Sequence, residues 1–162
     1  MERITHRIAW IGIIAAVYAS LTVSLGALSY SWFQVRLSEA LAPLPFLLGF
    51  PAVVGVGLGC LLANFASPVG VPDLIFGPLL TALSGLLSWK LSYGKKTLAC
   101  VYPILINSLG VSIYVSIFYN IPYWMSVLTI GLGEFVSCFV VGYPLLVALE
   151  KLRLRIFTDE NQ

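Results

Sequence analysis

The stretch that decides the fold is "LSEALAPLPFLLGFPAVVGVGLGCLLANF", residues 37–65. Read as a single helix it would be about 43 Å long at 1.5 Å per residue. A bilayer core is only about 30 Å thick. The stretch is also interrupted by "GFP", Gly49 to Pro51. Pro51 has no backbone N–H to donate and pushes the preceding residue away from helical geometry. We therefore divide it into two short helices, 37–48 and 52–65, each covering about 18 to 21 Å.

The membrane frame follows from composition. Charged residues make up 10% of the 162 residues, where about 25% is usual for a soluble domain. Mean hydropathy is +0.96. A chain of this size leaves a large share of its residues at its surface, so the medium around it must be lipid. Four further segments are apolar and long enough to cross unaided: 8–28, 72–91, 98–119 and 123–149, the last long enough to tilt. The expected fold is a single all-α integral membrane domain over residues 1–162. It has six transmembrane helices, two of them short. The first segment is read as a span rather than a signal peptide because no soluble domain follows it.

Positive charge supports six spans over five. With six, Arg3, Arg7, Lys90, Lys95, Lys96, Lys151, Arg153 and Arg155 share one side, and of the nine basic residues only Arg36 lies opposite. With five, Arg3 and Arg7 fall outside. The expectation is that both termini are cytoplasmic in a multi-pass protein of the cell membrane. The net charge of +2 is small, and no basic run interleaved with aromatics points to nucleic acid.

Ionisable groups in hydrocarbon are costly and face a bundle interior or a wet cavity, which makes them functional candidates. Glu134 lies mid-span in "TIGLGEFVSCF", flanked by Gly131 and Gly133, with no basic residue in its segment. Asn107 lies mid-span in "ILINSLG". Gln34, Arg36 and Glu39 stand at the outer end of the first short helix, Asn64 at the outer end of the second, and Asp73 begins the next span. Each has a structural reading beside the functional one. Arg36 and Glu39, three apart, could pair with each other. Asp73 could stabilise a helix N-terminus, and Asn64 and Asn107 could bridge helices. Together the seven could line one outward-facing cavity. Tyr30, Trp32, Phe33, Tyr119, Tyr123 and Trp124 lie near the same end, mostly as an interfacial belt, with one or two able to stack on a flat ring.

The inventory for catalysis is thin. The sequence has no G-x-x-x-x-G-K-[ST], no Ser/His/Asp set, no HExxH and no metal-ligand cluster. The single histidine, His6, lies in a polar N-terminal tail. Cys60, Cys100 and Cys138 sit inside apolar runs without C-x-x-C spacing and read as small packing residues. Neither an enzyme nor a resident cofactor is expected. In "GIIAAVYAS" Gly12, Ala16 and Ser20 form one edge of the first helix, with Ala15 and Ala19 beside it. Small residues four apart let helices approach closely in lipid. The edge serves either internal packing or a partner protein. For Gly55 and Gly59 internal packing is the favoured reading.

Five stretches carry a resemblance: "FQVRLSEALAPLPF" (33–46), "GLGCLLANF" (57–65), "DLIFGPLLTAL" (73–83), "PILINSLGV" (103–111) and "TIGLGEFVSCFVVGYPLL" (129–146). In order and spacing the sequence resembles the QueT family, substrate-binding S-components of energy-coupling factor (ECF) transporters. The resemblance implies a six-helix protein that binds queuosine precursors, the 7-deazaguanines preQ0, preQ1 or queuine. It implies partners too: an ECF transmembrane coupling subunit and two ATPase subunits that use ATP on its behalf. The family's alanine docking stripe maps here to Ala15 and Ala19. The chemistry is compatible. A 7-deazaguanine offers N1–H and an exocyclic amine side by side, which a carboxylate accepts as two charge-assisted hydrogen bonds. Its O6 wants a donor such as Gln34, Asn107 or Arg36, and the aminomethyl cation of preQ1 wants a second carboxylate. Glu39 and Glu134 are the expected acids, in either assignment, with Arg36 holding Glu39 ionised. Two alternatives remain: an S-component for another heteroaromatic vitamin, and a self-contained oligomeric exporter or channel. Co-purification with ATPases would separate the latter from an S-component.

Overall fold

In the computed structural model, which describes residues 2–31 and 34–159, every regular element is helical. The order is α1 (Glu2–Ser24), α2 (Gly26–Ser29), a 3-10 turn (Leu37–Leu41), α3 (Pro45–Leu48), α4 (Phe50–Asn64), α5 (Val71–Lys90), α6 (Lys96–Tyr119), α7 (Tyr123–Phe135), a π-helical segment (Val136–Gly142) and α8 (Tyr143–Asp159). Four stretches are long and apolar enough to span a membrane: Ile4–Ser24, Val71–Lys90, Lys96–Tyr119 and Tyr123–Leu152. Leu37–Leu48 and Phe50–Asn64 are the two shorter ones.

The division of residues 37–65 is present, but Gly49 makes it rather than Pro51. Gly49 has φ 70° and ψ −152°, a conformation open essentially to glycine alone. Phe50, expected to be forced out of the helix, is the first residue of α4, and Pro51 lies in its first turn. Proline is tolerated there because the N–H it lacks would have no intrahelical partner. The first half is not one α-helix either. Pro43 and Pro45 withhold two donors, and the segment resolves into the 3-10 turn and the single turn of α3. The first span ends at Ser24, not Leu28, with Leu25 separating α2.

The topology shows why the division matters. Gly55 faces Ile11 and Ile14, Gly59 faces Ala15 and Tyr18, and the Tyr30 hydroxyl donates to the Ala63 carbonyl. Positions that advance together along both helices mean that α1 and α4 run parallel. The chain between them must therefore reverse, and Leu37–Leu48 is that return. The two glycines make the contact possible. A Cβ on Gly59 would lie 2.6 Å from Tyr18 Cβ, and one on Gly55 would lie 2.9 Å from Ile14 Cβ.

The bundle carries its polarity inward. Helix α5 buries Asp73, Gly77, Thr81, Ser84, Gly85 and Ser88 while exposing Ile75, Phe76, Leu79 and Leu83. Small and hydroxylated residues at helix contacts with leucines outside are what lipid solvation favours. The last long span is not uniform. Pro144 would clash with the Val140 carbonyl and cannot donate to it, and the turn before it widens into the π segment. Irregular turns of this kind collect at functional positions. At one end of the bundle Lys96 Nζ pairs with Glu150 Oε2 at 2.7 Å, tying the start of α6 to α8.

Candidate functional site

Glu39 sits on the 3-10 turn and is 1% exposed. The turn is fastened on two sides. From α1, the Tyr18 hydroxyl donates to Glu39 Oε1, and the hydroxyls of Thr22 and Ser38 are 2.6 Å apart. From the π segment, the Cys138 thiol donates to the Glu39 carbonyl at 3.4 Å. Gly142 admits the turn, since a Cβ there would lie 2.9 Å from the Ala40 carbonyl oxygen.

Glu134 is the penultimate residue of α7 and points into the same region. Its Oε1 accepts from Asn107 Nδ2 at 3.1 Å, and its Oε2 faces the Cys138 thiol at 3.7 Å. Cys138, whose thiol faces Glu134 Oε2 and also donates to the Glu39 carbonyl, brings the two acidic residues to one place. Glu39, Asn107 and Glu134 come from the first short segment, α6 and α7, and all are buried. Two acceptor atoms in the group, Glu39 Oε2 and Asn107 Oδ1, have no hydrogen-bond partner among the described residues. Leaving such an atom buried and unpaired costs about 1–3 kcal/mol, so this cluster carries unused binding capacity.

Arg36, Asp73 and Asn64 form an adjoining cluster directed mostly at itself. Arg36 Nη2 pairs with Asp73 Oδ2 at 2.9 Å, and its Nε donates to the Ser29 carbonyl at 3.2 Å. The guanidinium lies 5.6 Å from the centre of the Tyr30 ring. The Tyr114 hydroxyl donates to Asp73 Oδ1 at 2.8 Å, and Asn64 Nδ2 donates to the Asp73 carbonyl at 2.7 Å. The pairing of Arg36 with Glu39 does not form. Arg36 is extended, with φ −98° and ψ 99°, just before the 3-10 turn, so the two lack the helical three-residue relationship. Asp73 is completely buried in the first turn of α5, where it is the counter-ion of Arg36 as well as an acid at a helix N-terminus. Gln34 is 3% exposed, has φ 39°, and its Nε2 has no hydrogen-bond partner among the described residues. Trp32 and Phe33 lie outside the described residues. Tyr119 donates to the Tyr30 carbonyl at 2.7 Å, and Trp124 is exposed as a belt residue.

The small residues of α1, among them Ala15 and Ala19 expected to dock a partner, divide between two faces of the helix. Ala15 is buried against Gly59 and Ala19 packs on the core, so Ala15 belongs to the α1–α4 contact and cannot also meet a partner in this conformation. Gly12, Ala16 and Ser20 are the exposed small residues.

Sequence reasoning missed Tyr18, Thr22, Tyr114 and Cys138. One signal was available: Tyr18 stands within the first span, several residues from either end. Cys138 lies one helical turn beyond Glu134 and is a thiol donor to the polar core, not a packing residue alone.

The sequence model of one family, described as QueT transporter, matches residues 8–151. A curated relative from Lactococcus lactis subsp. cremoris (strain MG1363), described as queuosine precursor transporter QueT, is 29% identical over 94% of this chain and 95% of its own length. No solved structure matches the chain.

Proposed function

Since the chain belongs to the QueT transporter family, it is a multi-pass membrane transport protein and not an enzyme, and we propose that it is the substrate-binding subunit of an ECF-type importer for queuosine precursors. Its ligands are 7-deazaguanines, captured from outside. The Lactococcus relative is described as a transporter of such precursors. Energy comes from an ECF transmembrane coupling subunit and two ATPase subunits, which use ATP. The bundle lies with both termini cytoplasmic, a placement supported by the eight basic residues that then share the inner side.

The observation that carries the ligand assignment is the meeting of Glu39, Asn107 and Glu134, with Glu39 Oε2 and Asn107 Oδ1 unpartnered. N1–H and the exocyclic amine of the heterocycle are adjacent donors and take those two acceptors. Glu134 receives the aminomethyl cation of preQ1. Gln34 Nε2, also unpartnered, donates to O6. Arg36 and Asp73 support this wall through their own ion pair and contribute little direct contact. The partner surface is the Gly12–Ala16–Ser20 edge of α1.

The test is binding of preQ0, preQ1, queuine, guanine and several vitamins to the purified chain, followed by ligand-induced thermal shift. A one-site ligand present at a hundred times its Kd stabilises by about 2.7 kcal/mol. Stabilisation by deazaguanines alone is expected. An equal response to an unrelated vitamin, or none to any deazaguanine, refutes the assignment.

A further inference from the structure

The Glu39 carboxylate has an asymmetry that the binding proposal leaves unexplained. One oxygen is held by Tyr18, and the other is bare. The residue that creates the asymmetry belongs to α1, a helix that contributes none of the groups assigned to the ligand.

Tyr18 is completely buried, and its placement is dictated by helix packing. Its Cβ and Cγ lie against the site where a Gly59 side chain would be, 2.6 Å and 3.0 Å from an ideal Cβ there. Its hydroxyl therefore cannot move far unless α1 itself moves against α4. One turn on, Thr22 Oγ1 is 2.9 Å from the Tyr18 carbonyl oxygen and 2.6 Å from Ser38 Oγ. A hydroxyl has one proton to give. Thr22 donates to the carbonyl, which can only accept, and so Ser38 donates to Thr22. The turn carrying Glu39 is thus tied to α1 by two neighbouring hydrogen bonds, one at Ser38 and one at Glu39 itself.

We propose that Tyr18 is a positioning residue for the substrate: by donating to Glu39 Oε1 it fixes the carboxylate plane so that Oε2 is presented to the ligand's donor edge, with Thr22 holding the turn beneath it. This rests on the reading that Glu39 meets the heterocycle. Without the phenol, the carboxylate is free to turn about its last torsion, and each ligand hydrogen bond must first restrict it. The arrangement also makes α1 a two-sided element. Its outer edge exposes Gly12, Ala16 and Ser20, and its inner face grips Glu39.

The experiment is a double-mutant cycle read in ligand affinity. The full chain, Tyr18→Phe, Glu39→Gln and the double variant are purified and titrated calorimetrically with preQ1, preQ0 and queuine. The ligand-free thermal midpoint is measured alongside. Tyr18→Phe is expected to weaken binding about tenfold in the native background, on the scale of a hydrogen bond to a charged group, and less than about threefold when Glu39 is already Gln. Equal losses in both backgrounds mean a general structural effect and overturn the proposal, as does unchanged affinity in Tyr18→Phe. Should that variant fail to fold, Thr22→Val takes its place, with a loss of several-fold expected only while Glu39 is intact and unchanged affinity counting against the proposal. A native chain that binds none of the three ligands refutes the functional reading itself. Native binding with an indifferent Tyr18→Phe refutes the positioning role alone.

Discussion

Replacing Asp73 with alanine should be among the most damaging single changes in this chain, and replacing Asp73 and Arg36 together should be far milder than the sum of the two. The pair is 2.9 Å apart, with side chains 4% and 0% exposed. Asp73→Ala leaves a guanidinium inside the bundle with no counter-charge, and removes the acceptor of the Tyr114 hydroxyl. Breaking one partner of a buried ion pair costs about 3–5 kcal/mol, which is a factor of roughly 150 to 5,000 in an equilibrium constant at 1.36 kcal/mol per tenfold. The lost Tyr114 bond falls within the same network, so its cost does not simply add. An Arg36→Met, Asp73→Leu double variant removes both charges and keeps most of the volume. Apolar replacement of whole buried pairs is often near neutral. Unfolding of the detergent-solubilised chain by added denaturing detergent, followed by loss of helical signal, gives four midpoints: those of the native chain, Asp73→Ala, Arg36→Met and the double variant. Asp73→Ala should unfold much earlier and the double variant close to the native chain. A single variant losing under about 1 kcal/mol, or a double variant as damaged as the two singles combined, would show that the two groups are not each other's counter-ions.

Four further variants test other parts of the structure. Glu134→Gln keeps the shape beside Asn107 but removes the charge, and should weaken preQ1 binding at least about tenfold; unchanged preQ1 affinity in titration would remove Glu134 from the site. Ala16→Leu, on the exposed edge of α1, should spare ligand binding yet abolish uptake by whole cells, whereas Ala15→Leu, pressed against Gly59, should lower folded yield through overpacking of about 1–3 kcal/mol. Normal uptake by Ala16→Leu would exclude that edge as the docking surface. Gly49→Ala should cost about 1–3 kcal/mol because alanine strains at φ 70°. The nearest atom to the added Cβ is on Trp89, at an ordinary 3.5 Å, so an unchanged unfolding midpoint would mean that the break between α3 and α4 is not set by the glycine.

The parts of this fold that were legible in the sequence are those that lipid imposes on each segment separately. A 20-residue apolar run has to cross, and a longer one with a break has to turn. Those constraints act within a single helix and so leave their mark in its composition. The same is true of Glu134 and Asn107, which stand out because their own neighbours are apolar. What could not be read is every choice between partners. Arg36 had carboxylates available at Glu39 and at Asp73, three and 37 positions away, and local spacing favoured the nearer. The outcome depended on whether the backbone at residue 36 was helical, and it is extended because the segment begins as a 3-10 turn pinned to α1 from the side. Likewise the sequence marked both edges of α1 as small, and only the position of Gly59 on another helix decides that Ala15 faces inward and Ala16 outward.

Tyr18 is the sharpest instance. In composition it is one aromatic among small residues, and a tyrosine in a membrane span is ordinarily placed near an interface. Its depth was visible and its partner was not, because that partner lies 21 residues away on a turn whose register depends on Pro43, Pro45 and Gly49. A polar side chain in lipid has to be satisfied by protein. The sequence can therefore say that each such residue has a partner while leaving the pairing to the fold. On the proposed function the pairing is also the functional content: Arg36 is used up by Asp73, Glu39 is half used by Tyr18, and the capacity that remains is what the ligand is proposed to engage.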